Sequence, residues 1–157
     1  MVFLFNLLAL VSCGGFVLSV YCHVLGLQHL EPPWGKSSFF LHIGIFVVWI
    51  PLVLFAERTK PQGTRNNLNH LMALLPTWLR FGVNGIFIYA LVNFGYFMMQ
   101  THSYGKGETP FYLELRGFSG HWMMFYSMAT AGFVALARLY RKKLEEVSPR
   151  INSLEPK

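Results

Sequence analysis

His23, His42 and His121 sit inside apolar stretches of a 157-residue chain that is 54% hydrophobic. Imidazole binds haem iron, copper and zinc, and ligands from separate helices converging at one depth are how cofactor sites in helix bundles are built. Met98, Met99, Met123 and Met124 occupy neighbouring positions and offer soft thioethers to copper or to haem. Haem b or copper held by His23, His42 and His121 is therefore the cofactor expectation. A shared ion would need ring nitrogens roughly 3 to 4 Å apart, given metal–nitrogen bonds of about 2.0 to 2.1 Å. Other metal signatures are absent: there is no Cys-x-x-Cys, no Cys-x-x-Cys-His and no aspartate. Cys13 and Cys22 lie nine positions apart. On one helix that is about 13 Å of rise, too far for a disulfide.

A second polar group is built by spacing. Tyr89, Asn93, Tyr96 and Gln100 follow i, i+4, i+7, i+11 and so form one stripe on a helix. Such a stripe reads as an interhelical hydrogen-bond seam or as the wall of a polar cavity for a lipid or quinone. Ser127, Ala131 and Ala135 recur every four residues, the small-xxx-small spacing that lets two helices approach closely.

The elements that must position these residues are four apolar stretches, about 3–26, 39–56, 81–99 and 117–139. Each is near the roughly 20 residues that a helix needs to cross a bilayer core of about 30 Å. The expected fold is an all-α, integral membrane four-helix bundle over residues 1–143. The segments between the spans carry unequal charge. Arg58, Lys60, Arg65 and Arg80 lie between the second and third spans, and Arg138, Arg141, Lys142, Lys143, Arg150 and Lys157 follow the fourth. The other loops hold only Lys36, Lys106 and Arg116. The positive-inside rule then places the N-terminus, the second loop and the C-terminus in the cytoplasm, with His23, His42 and His121 in the outer half of the membrane. The same asymmetry accounts for the net charge of +6 without nucleic acid, because basic flanks are drawn to an anionic leaflet.

Leu68, Leu71, Met72 and Leu75 recur at helical spacing among Asn66, Asn67, Asn69 and His70, which suggests a short interfacial helix over about 66–75, interrupted at Pro76. Residues 144–157 are polar, contain Pro149 and Pro156, and read as a flexible cytoplasmic tail. Leu10-Val11-Ser12-Cys13 has the form of a lipoprotein cleavage site but lacks the basic flank before it, so Cys13 reads as an apolar helix residue.

Arg116 through Tyr126 is the densest unusual run: Ser119 suits a helix cap, Gly117 and Gly120 suit a close approach, and Trp122 with Tyr126 suits an interfacial aromatic belt. This run resembles one in small multi-pass membrane proteins of bacteria, in which an arginine precedes Phe-Ser-Gly-His-Trp-Met and then Phe-Tyr. The resemblance implies a multi-pass protein of the bacterial inner membrane and carries no activity, ligand or catalytic residue. With no acid, base and nucleophile set, the expected function is a non-catalytic subunit that packs against and supports a larger membrane complex. Its expected partners are the lipid bilayer and other membrane subunits or a second copy. The alternatives are a haem- or copper-binding redox subunit using the three histidines, and a small membrane enzyme acting on lipid or quinone.

Overall fold

The structure is a computed structural model that describes residues 1–59, 71–104 and 107–152, with side chains described as far as residue 146. Half of the expected interfacial helix, residues 66–70, lies outside the described residues; of its other half, 71–73 are helical and the chain turns before Pro76. Four long helices follow one another: α1 (Val2–Leu27), α2 (Phe40–Thr59), α3 (Thr77–Tyr104) and α4 (Phe111–Asn152), with a 3-10 turn at Gly35–Phe39 leading into α2. No strand occurs among the described residues. All four helices are long and apolar enough to cross a membrane. They extend beyond the apolar stretches because the flanking polar residues keep helical backbone geometry. Pro110 precedes the first residue of α4, a position that needs no intrahelical N–H. The last helix continues through residues 144–152, past the start of the expected tail.

α4 is the hub. Along its most apolar window 61% of residues are buried inside the chain, against 17–22% for the other three helices. α1 packs along most of its length antiparallel to α4, from Phe5 beside Tyr140 to Gly26 beside Arg116. α2 runs parallel to it, with Trp49 donating to the Phe125 carbonyl at 3.1 Å and Leu52 filling the notch at Gly132. α3 packs on α4 through Val83, Ala90, Asn93 and Phe97, all buried. These are spaced by seven, three and four residues, the spacing of a helix-packing stripe.

Small residues make the hub possible. Ser127, Ala131 and Ala135 are buried within the chain, at 8%, 0% and 0% exposure. Tyr126 projects between α1 and α2 where Gly15 and Gly44 leave no side chain, and its hydroxyl donates to the Leu41 carbonyl at 2.9 Å. Trp122 and Tyr126 were expected in an interfacial belt. They are 0% and 3% exposed, because their helix is surrounded on its sides by the other three.

Candidate functional site

The end of the bundle that carries His23, His42 and His121 also holds most of the polar interhelical bonds. His23, near the end of α1, is only 4% exposed and joins three helices. Its Nδ1 lies 2.9 Å from Ser119 Oγ on α4, and its Nε2 is hydrogen-bonded to the Tyr89 hydroxyl on α3. Ser119 is not a cap. It lies in the third turn of α4, where its hydroxyl donates to the Arg116 carbonyl at 3.1 Å while facing His23.

The polar stripe of α3 continues this cluster. Asn93 Nδ2 donates to the Arg116 carbonyl at 3.1 Å and reaches the Gly117 carbonyl at 3.4 Å. That approach requires glycine opposite it: a Cβ at Gly120 would stand 2.5 Å from Asn93 Nδ2, and one at Gly117 would stand 2.5 Å from the Phe97 ring. Tyr96 lies under the Arg116 guanidinium, whose Cζ is 4.4 Å from the ring centroid, a cation–π contact. Gln100 donates to the Tyr96 hydroxyl at 3.0 Å, while its Oε1 is enclosed without a hydrogen-bond partner among the described residues. Tyr89, Asn93, Tyr96 and Gln100 are thus engaged in side-chain bonding that reaches α1 and α4.

His42 and His121 belong to a different surrounding. Trp122 Nε1 donates to His42 Nδ1 at 3.3 Å, and the His42 ring meets Phe46 and Phe118 edge-on. His121 stands edge-on to Phe94 of α3 at 4.6 Å and nearly parallel to Phe125 at 6.3 Å, with Nδ1 enclosed and without a hydrogen-bond partner among the described residues. The structure brings His23 to Ser119 and Tyr89, and His42 to Trp122. Among the described residues no three histidine, cysteine, aspartate or glutamate side chains gather as a metal-ligand group. The fit of His23 to an ion is poor, since both its nitrogens are already bonded within the chain. His29, in a left-handed conformation at φ 59°, stacks on Tyr112 at 4.4 Å beyond the end of α1.

Sequence reasoning did not find Ser119 as a histidine partner, Trp122 as a donor to His42, or the Leu41 carbonyl as the acceptor for Tyr126. The available signal was the glycine pair at 117 and 120, which marks the face of α4 that α3 approaches. No family model, no curated protein and no solved structure matches the chain.

Proposed function

We propose that the chain is a non-catalytic, multi-pass subunit of the bacterial inner membrane that docks on another membrane helix through the outward face of α3, with both termini cytoplasmic. The small-residue face of α4 is spent inside the chain, so a partner needs another surface. The observation that carries the reading is a second stripe on α3, opposite the one that meets α4. Phe81, Gly85, Ile88, Val92, Gly95 and Met99 recur at alternating four- and three-residue steps and all face outward. A Cβ at Gly85 or Gly95 would meet nothing within 4 Å. Asn84 borders this stripe, is exposed, and has no hydrogen-bond partner among the described residues. In hydrocarbon a lone amide favours a neighbouring helix that can bond to it, and glycines let that helix come close.

The chemical groups nearby support a structural rather than a catalytic role. His23, Ser119, Tyr89 and Asn93 are bonded to one another or to backbone carbonyls. None is left facing a substrate cavity as a base or nucleophile.

The test is association in a bilayer, read by energy transfer between labelled copies and by co-purification of native partners. Asn84→Leu is expected to weaken association by about 1 kcal/mol, roughly fivefold, and Gly85→Leu by at least as much. Unchanged association in both variants removes the reading. A reporter fused after Lys157 should read as cytoplasmic and one inserted at Gly105 as external; the reverse result would overturn the orientation.

A further inference from the structure

Where α2 lies against α4, a groove of about 380 Å³ is lined by His42, Ile45, Phe46, Trp49 and Phe125. That volume falls within the range of small-molecule sites. Its walls are apolar and aromatic except for one group. Trp122 Nε1 is a donor with no lone pair, so its bond to His42 fixes Nδ1 as the acceptor. In the neutral ring the proton then resides on Nε2. Among the described residues this Nε2–H has no hydrogen-bond partner. The groove thus offers one oriented donor on an aromatic lining, and Trp49 is itself held in place by its bond to the Phe125 carbonyl.

The same tautomer argues against a metal at this position, because a protonated Nε2 has no lone pair to give. It calls instead for an acceptor on an apolar body. A comparable groove of about 420 Å³, lined by Leu18, Trp34, Ser37, Ser38, Phe40, Leu41 and Tyr126, makes no such demand. There the Tyr126 hydroxyl is already given to the Leu41 carbonyl and the Ser38 hydroxyl to the Gly35 carbonyl.

We propose that the His42 groove binds a flat, lipophilic carbonyl compound of the quinone type. Its ring lies against Phe46, Trp49 and Phe125, and one carbonyl oxygen accepts the Nε2–H of His42. A phospholipid ester carbonyl is the same acceptor chemistry on a body that is not flat. The aromatic lining selects the ring, since stacked or edge-on aromatic contacts add to burial. This site is separate from the outward stripe of α3, and its test does not depend on association.

The full chain is reconstituted into vesicles of ether-linked phosphatidylcholine and titrated with a decyl-substituted benzoquinone while tryptophan emission is recorded. The expected result is saturable quenching above the linear loss caused by quinone dissolved in the bilayer. Trp49→Phe should remove the saturable part. His42→Leu should raise the midpoint about fivefold, the weight of one neutral hydrogen bond. His42→Gln, which keeps an N–H donor, should recover much of the affinity, and decylbenzene, which has no carbonyl, should not compete. If His42→Leu does not fold, the His42→Gln titration and the decylbenzene competition still decide the matter. Purely linear quenching, an unchanged midpoint in a folded His42→Leu, or competition by decylbenzene equal to that of the quinone would each overturn the proposal. Loss of saturation in ester-linked vesicles would assign the groove to the lipid carbonyl instead.

Discussion

At the histidine end of the bundle, α1, α3 and α4 are joined through His23, Ser119, Tyr89 and Asn93, each bond made by a specific donor and acceptor. At the opposite end, α1, α2 and α4 meet through Phe5, Phe55, Leu52, Phe133 and Tyr140, with Phe5 edge-on to Phe55 at 5.0 Å and tilted against Tyr140 at 5.1 Å. The apolar end fills volume and accepts many arrangements of similar energy. The polar end accepts few, because a rotation of α3 would separate His23 from Tyr89, and a slide of α1 by one residue would separate it from both Tyr89 and Ser119. One end therefore supplies most of the cohesion and the other fixes the register. Lipid tails are as apolar as core side chains, so in a bilayer such cohesion comes from packing rather than from exclusion of water.

The largest effect should fall at the apolar end. Phe133 is fully buried, and Phe133→Ala should cost roughly 3 to 5 kcal/mol in reversible unfolding from mixed micelles. A cost below that of the polar-end variants would reverse the assignment of roles. Next comes Gly26→Val, whose Cβ would stand 2.9 Å from the Arg116 backbone nitrogen and 3.0 Å from its Cα. Because the obstacle is backbone, α1 must shift, at an expected cost of about 2 to 3 kcal/mol; a stability within error of the parent would show that α1 is free to slide.

The smallest effects are the most diagnostic. Ser119→Ala and Tyr89→Phe should each cost about 0.6 kcal/mol, the average for interhelical hydrogen bonds. Since both partners act on one imidazole, combining them should depart from additivity. Strict additivity in that double-mutant cycle would mean that the two bonds to His23 are independent and that the polar end does not work as a unit.

Much of the architecture is legible in residue order. Hydropathy finds all four spans, and the step of the Tyr89, Asn93, Tyr96 and Gln100 stripe marks the side of α3 that bonds to the rest. The identity of the hub was also written, though less openly. α4 is the least apolar of the four spans, with a window hydropathy of 1.2 against 2.5 for the second. A helix screened from its surroundings by three others has the least need of apolar side chains, so its lower hydropathy and its small residues, among them Gly120, Ala131, Gly132 and Ala135, follow from its central place. Trp122 and Tyr126 mislead because aromatic residues near a span end suit either an interface or a core. The partners of His23 and His42 were not legible, since the rotation of one helix against another is set by side-chain packing that a linear pattern does not contain.

The place of α4 at the centre has a consequence for biosynthesis. The helix that the others surround leaves the ribosome after all three of them. Until residues from Phe111 onward are made, α1 and α2 touch one another only slightly and α3 has little of either to rest on. The slot between Gly15 and Gly44 waits for Tyr126, and the Leu41 carbonyl waits for its donor. In the membrane setting proposed above, the nascent three-helix chain would take its shelter from lipid or from the insertion machinery, and its helices become a folded unit only when the fourth arrives among them.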